Sequence, residues 1–429
     1  MNANEAWDSI MKTTKVKTGA ELEDVECRSC GSDKLRAILD LGKTPLANSL
    51  LTEEELKEEE PKFPLLLAFC DGCSLVQITH SVPPEDLFRD YIYYSSFSDT
   101  MLVHAHEIVQ KVIDEESLTK KSFVVEAASN DGYLLKNYVA KDIPVLGVEP
   151  ARNIAKAAND AGVRTVDEFF DADFAKKIVK EHGKADVFHA NNVLAHVPDL
   201  NGFVAGISDL LKPTGVAIIE CPQIKEMVKS VCFDTIYHEH LSYFSLLSLK
   251  QLFYRHDLEI THAEELDIHG GSLRVFARPV TGAKRKGSVF TLLEEERKLG
   301  LDEFKAYEDF AEKVTIMGEE LNNVLEKYKS QGAKIAAYGA AAKGSTLMNF
   351  FDIDKRLVSF VVDRSDHKHG RFMPGTHQPI HPTKHLMREQ PDLVLLLSWN
   401  FKDEILKQQT DFRARGGKFV VPIPKMEIV

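Results

Sequence analysis

"SFVVEAASNDGYLLKNYV", residues 122–139, reads as a strand, a tight polar loop and a helix. The unit recurs downstream. "IPVLGVEPARNIAKAANDAG" (143–162) is a strand with an acidic end and then a helix. "ADVFHANNVLAHVPDLNGFVAGISDLL" (185–211) repeats it, and "GVAIIECPQ" (215–223) adds a further strand. Strands alternating with helices predict an α/β fold with a parallel sheet and right-handed crossovers. Ligands on such sheets sit beyond the carboxyl ends of the strands. Those ends carry "EAASNDG" (126–132), then Glu149, then Asn191, Asn192 and His196.

Asp131-Gly132 allows close backbone approach at a helix N-terminus, and Glu149 can take both ribose hydroxyls of a nucleoside. A dinucleotide is the rival ligand, but the loop is not G-x-G-x-x-G, so its pyrophosphate cradle is poor. S-adenosylmethionine needs the ribose carboxylate and no phosphate nest. The loop departs from the usual E/D-x-G-x-G of methyltransferases, because Ala128 stands where glycine is common.

At 429 residues the chain predicts two or three domains. It is 44% hydrophobic and 28% charged, as soluble globular proteins are, with a net charge of −13 and no long basic block. A nucleic-acid partner is therefore not expected. No apolar run is long enough to span a membrane, and the polar first 26 residues carry no signal-peptide core. The cysteine usage suits a reducing, cytoplasmic setting better than a disulfide scaffold.

Cys27-Arg-Ser-Cys30 and Cys70-Asp-Gly-Cys73 are paired CxxC turns. Together they can close a tetrahedral, structural zinc site, with four buried thiols or a redox pair as the alternative. Cys221 and Cys232 read as core residues. The acidic run "LTEEELKEEEP" (51–61) reads as a solvated helix face.

Residues 285–330 carry helical periodicity and read as a connector. "GAKIAAYGAAAKGSTLMNFF" (332–351) then reads as strand, glycine loop and helix. Later strands end at Asp363 and near Asn400, which predicts a small Rossmann-like unit. Gly339, Lys343, Gly344 and Ser345 could receive a pyrophosphate at the helix N-terminus. The alternative is that these glycines serve strand–helix packing. A nicotinamide site with Tyr338, Lys343 and Asp363 also stays open, which would add a 4-ketoreductase activity.

"CRSC…CDGC", "YIYYSSFSDTM" (91–101), "EAASNDGYLL", "GVEPARNIA", "ANNVLAHVPDL", "YHEHLSYFSLLSL" (237–249), "YGAAAKGSTLMNF" and "LLLSWNFKDEI" follow one another in that order. With them the chain resembles the S-adenosylmethionine-dependent sugar C-methyltransferases, including the C-3′-methyltransferases of deoxysugar biosynthesis, over nearly its whole length. The resemblance implies a zinc-binding domain (1–85), a Rossmann-like class I methyltransferase domain (86–284), and a connector with a C-terminal Rossmann-like domain holding the sugar nucleotide (285–429). It implies donor contacts at Glu126, Ser129, Asp131, Gly132, Glu149, Pro150 and Asn191, and sugar-nucleotide contacts at Gly339, Lys343, Gly344, Ser345 and Asn400.

A 4-keto sugar has a removable C3 hydrogen, so carbon methylation needs a base titrating near neutral pH and a donor for the enolate oxygen. "YHEH" (237–240) is not H-E-x-x-H, so zincin geometry is absent. If the stretch is extended, His238 and His240 point one way and Glu239 the other. The resemblance makes His240 the base and has Tyr237 and Glu239 position it. It places His196 and Asn192 in the same cleft and has Tyr93 reach the sugar from the N-terminal side. A non-enzymatic zinc-ribbon scaffold and an O- or N-methyltransferase are the competing readings.

Overall fold

The computed structural model describes residues 15–89, 94–268, 270–281 and 283–429. Tyr93 therefore lies outside the described residues.

Three sheets organise the chain. The first is antiparallel: β1 (Leu35–Thr44), β2 (Phe63–Cys70) and β3 (Val76–Ile78). Its fourth strand is Ser242–Tyr243, which comes from far along the chain and pairs with β3, Gln77 opposite Ser242. The acidic run does not form the expected helix face. It holds one 3-10 turn, Glu55–Lys57, with only Leu56 half-buried, because consecutive glutamates leave no apolar stripe to bury.

The second sheet has seven strands. β4 (Val124–Ala127), β5 (Val145–Val148), β6 (Thr165–Val166), β7 (Ala185–Asn191) and β8 (Leu211–Pro222) run parallel in the order β8-β7-β4-β5-β6. With Ser242–Tyr243 counted as β9, the antiparallel β10 (Leu258–Leu266) and β11 (Ser272–Pro279) extend it beyond β8. The helices are capped as their sequences indicate. Ser98, Asp171 and Asp199 each accept an amide of the first turn at the starts of Asp99–Glu115, Ala172–His182 and Leu200–Leu210.

The third sheet runs β12 (Ile335–Tyr338), β13 (Val361–Asp363), β14 (Ile380–Pro382), β15 (Leu393–Leu396) and β16 (Lys418–Val421) in parallel, with β17 (Glu427–Ile428) antiparallel at its edge. The connector is two helices, Gly287–Lys298 and Phe304–Ser330. The longer one ties two sheets together. Phe304 and Tyr307 pack on Phe69 of β2, and Gly318 lies against Phe351. One apolar core is continuous from Cys27 and Phe69 through Phe188 to Leu347 and Val420.

Candidate functional site

The paired CxxC turns converge. All four sulfurs lie within 4.8 Å of one another, with Cys27–Cys73 at 3.5 Å and Cys30–Cys70 at 3.6 Å. Zn–S bonds of ~2.3 Å in a tetrahedron put sulfurs ~3.8 Å apart, so the donor set fits zinc, and it is too open for disulfides. Each turn closes by an amide returning to its first cysteine: Gly31 to the Cys27 carbonyl and Ser74 to the Cys70 carbonyl, both at 2.9 Å. Gly31 and Ser74 share the left-handed backbone at φ 70° and 59°. Hydrogen bonding to Cys70 pushes Cys27 up to about 12, while hydrogen bonds from Cys27 and Cys73 pull Cys70 down. The thiols thus share protons that a divalent cation would displace.

The loop after β4 turns through left-handed residues at Ala128 (φ 47°), Asn130 (49°) and Gly132 (78°). Ala128 therefore keeps the backbone path that glycine would take. Glu149 braces the loop: its carboxylate accepts the Asn130 and Ala151 amides, each at 2.9 Å. The Asn130 and Asp131 side chains in turn accept the Ser95 and Ser96 amides.

Several buried polar atoms are left unpartnered among the described residues: Glu126 Oε2, Asp131 Oδ1, both side-chain atoms of Asn191, and Asn192 Oδ1. Such a concentration at strand ends is what a polar ligand would satisfy. Burial pushes Glu126 well above the usual carboxylate range, with Glu149 and Glu220 adding to the rise. Ser129 is fully buried, its Oγ against Gly147, so it supports the loop from behind. Pro150 contributes its carbonyl to Arg89 at 3.4 Å.

The "YHEH" stretch is a turn, not an extended strand, closed by the His240 amide on the Tyr237 carbonyl at 2.9 Å. Its two histidines therefore diverge. His238 is buried and donates from Nε2 toward the Phe63 and Pro64 carbonyls of β2, at 3.3 and 3.2 Å. His240 donates from Nδ1 to the Thr235 carbonyl at 2.9 Å, which leaves Nε2 as the acceptor for the Tyr237 hydroxyl at 3.0 Å. His196 stacks obliquely on His240, ring centroids 5.0 Å apart, and donates to the Glu239 carbonyl at 2.6 Å. The Glu239 carboxylate instead meets Asn48 at 2.6 Å. Burial holds His240 at about 3, and the nearby His196 and Lys343 push the same way. The imidazole is thus neutral rather than poised near pH 7 as expected from sequence.

His240 lines a cleft of about 470 Å³, mouth included, together with Gln223, Tyr243, Gly271, Lys343 and Trp399. Lys343 and Trp399 come from the C-terminal unit. The Lys343 ammonium lies 4.9 Å above the Trp399 ring, and the indole donates to buried Asp234 at 2.6 Å. The remaining C-terminal residues take packing positions. A Cβ on Gly339 would meet Ser398 at 2.0 Å, one on Gly344 would meet Leu397 at 2.9 Å, and Ser345 is buried. Asn400 is exposed, and its neighbour Trp399 faces the cleft. Tyr338 packs with Val394 and Phe419 in a core cluster separate from the one that holds Leu347 of the Lys343 helix. The Asp363 carboxylate accepts the Ala340 and Ser365 amides, each at 2.8 Å.

Residues 27–88 match a family described as a zinc binding domain, 102–263 a methyltransferase domain, and 267–424 a C-methyltransferase C-terminal domain. The chain is 36% identical over 405 residues to the C-methyltransferase NovU of Streptomyces niveus, covering 94% of this chain and 96% of that one. This chain belongs to the S-adenosylmethionine-dependent C-methyltransferase family. Among solved structures, the magnesium protoporphyrin IX methyltransferase of Synechocystis PCC 6803 with bound S-adenosylmethionine covers 41% of this chain and 78% of its own (11% identity, TM-score 0.32). A Clostridium acetobutylicum methyltransferase covers 40% and 89% (12%, TM-score 0.33).

The C-methyltransferase is an enzyme with S-adenosylmethionine as donor and a four-cysteine zinc-binding domain. Among the described residues no helix is long and apolar enough to cross a membrane. Sequence reading missed Asp234 and Trp399. Nothing local marks Asp234 as buried or Trp399 as a cleft residue, since their bond joins positions 165 apart.

Proposed function

We propose that this C-methyltransferase methylates C3 of a nucleotide-linked 4-keto-6-deoxy sugar through an enolate, with His240 as the base. The observation that carries this reading is the cleft, where an imidazole with an acceptor Nε2 meets an ammonium from the C-terminal unit. Bound S-adenosylmethionine supplies an electrophilic methyl group. Glu126, Asp131, Gly132, Glu149, Pro150 and Asn191 would hold it, with Ser129 supporting the loop.

In this reading His240 Nε2 exchanges the Tyr237 hydroxyl for the C3 proton. The C–H electron pair becomes the C3–C4 double bond and the ketone electrons move to oxygen. Thr235 keeps the imidazole in the tautomer that can accept. Glu239 acts through its carbonyl on His196, which with Asn192 faces the donor side, and Tyr93 would approach the sugar. The Gly344 amide in the first turn of the helix Ala342–Phe350, with Asn400 at the rim, would serve the nucleotide, while the Gly339 and Ser345 amides are taken by the Val362 and Ala341 carbonyls. The division at 1–85, 86–284 and 285–429 separates zinc, donor and nucleotide roles, in a cytoplasmic enzyme without nucleic-acid partners.

The test is mass spectrometry of products from purified protein, S-adenosylmethionine and a panel of dTDP-, UDP- and GDP-linked 4-keto-6-deoxy sugars, with and without NADPH. One added methyl, independent of NADPH, is expected. Two further hydrogens appearing only with NADPH would favour the bifunctional ketoreductase reading. His240→Asn should lower kcat by ~10²–10⁴ with melting unchanged, and turnover within a few-fold of wild type would remove His240 as the base.

A further inference from the structure

The cleft around His240 has apolar walls, Ile224, Met227, Cys232 and Trp399 among them. Lys343 is the only lysine or arginine among its described lining residues. The side chain is half-buried. The ammonium lies over the ring of Trp399, whose indole is bonded to Asp234. Asp234 itself is fully buried, with Oδ2 taken by the indole and Oδ1 unpartnered. Lys343 and His240 line the same cleft, so the two groups act on one small volume.

A diphosphate would bring two or more charges and need several donors. The cleft offers one cation and the Ser242 hydroxyl, since Gln223 and Thr235 already donate to the Glu265 carboxylate and the Cys232 carbonyl. That inventory matches a single oxyanion.

We infer that Lys343 is a catalytic residue that stabilises the enolate oxygen at C4, rather than a phosphate anchor. This rests on the enolate reading above. The ketone oxygen is neutral in the ground state and gains charge as the C3 proton passes to His240, so the ammonium binds the transition state more tightly than the substrate. Low-dielectric walls strengthen that interaction. On methyl transfer, the C3–C4 π pair forms the new C–C bond, the oxygen electrons restore the ketone, and the donor carbon–sulfur pair stays on sulfur.

The experiment is C3–H exchange in D2O, followed by NMR, with the full-length protein, the nucleotide 4-keto sugars and S-adenosylhomocysteine in place of the donor. For Lys343→Gln, exchange at saturating sugar should fall ~100-fold or more. Affinity for dTDP, UDP or GDP alone should stay within about two-fold, and Lys343→Arg should recover part of the rate. Circular dichroism and melting would confirm both variants as folded. Unchanged exchange at saturation with weakened nucleoside diphosphate binding would overturn the inference and make Lys343 a phosphate anchor. No exchange by the wild-type protein on any keto sugar would instead overturn the enolate reading beneath it.

Discussion

At the scale of single residues, backbone path and protonation state decide what the site can do. Ala128 sits in the left-handed region at φ 47°. Glycine there would relieve ~1 kcal/mol of strain but cost ~0.4–1 kcal/mol of extra unfolded-state entropy. Ala128→Gly should therefore be nearly neutral in stability and leave the S-adenosylmethionine dissociation constant within a few-fold. A ten-fold change by calorimetry would show that the alanine alters the donor contacts. His240 is held at about 3 by burial, so its neutral, proton-accepting form predominates at any pH well above that. NMR titration should find no protonation of this ring between about pH 5 and 8, and kcat/KM should show no acid limb from it near ~6.5. A His240 midpoint near 6.5 would mean that the site is wetter than its packing indicates. Which of the two histidines faces the cleft was beyond local sequence. His238 is spent on the Phe63 and Pro64 carbonyls, groups 175 and 174 positions away, and His240 lines the cleft.

At the scale of elements, helices and parallel strands were legible because their periodicity is local. The helix Phe304–Ser330 buries Phe304, Tyr307, Phe310, Val314, Leu321 and Leu325 along one stripe, as its spacing predicts. What the spacing does not reveal is why Gly318 interrupts it. A Cβ there would meet the Phe351 ring at 2.4 Å. Alanine should gain ~1 kcal/mol of helix propensity, yet overpacking typically costs ~1–3 kcal/mol. Gly318→Ala is therefore expected to lower stability by roughly 1 kcal/mol in urea unfolding. A stabilised variant would mean that Phe351 moves aside freely. The "YHEH" turn was illegible for the opposite reason. Alternating histidines suit a strand, but the His240–Tyr237 backbone bond folds the stretch, and its partners lie in other elements.

At the scale of the whole molecule, the zinc-binding sheet is completed by the strand that follows the His240 turn. Ser242–Tyr243 completes the sheet two residues after His240, and the Leu241 carbonyl accepts the Ile78 amide at 3.0 Å. Stripping zinc should therefore loosen the turn as well as the knuckles. Prolonged chelation is expected to lower the melting temperature and abolish turnover together, with one zinc per chain lost by elemental analysis, and zinc should restore both. Full activity without metal would separate the two regions.

Acid should act globally too. Burial lowers His238 to about 4, so the unfolded chain takes up this proton near ~6.5 while the folded protein does not. Its contribution is present above ~6.5 and lost as pH falls toward 4, worth ~2 kcal/mol between pH 7 and 5. His238→Gln should shrink the stability difference between those pH values by about that amount in urea titrations. An unchanged difference would show that His238 is protonated in the fold.

The sequence by itself determined the alternation of strands and helices, the paired CxxC turns and the acidic strand end at Glu149, since each is written in neighbouring residues. Only the tertiary structure decided that the turn at 237–240 sends His238 to the zinc-binding sheet and His240 to a cleft shared with Lys343 and Trp399. Those contacts join segments more than 100 residues apart, and no local spacing encodes which buried groups will meet across a common core.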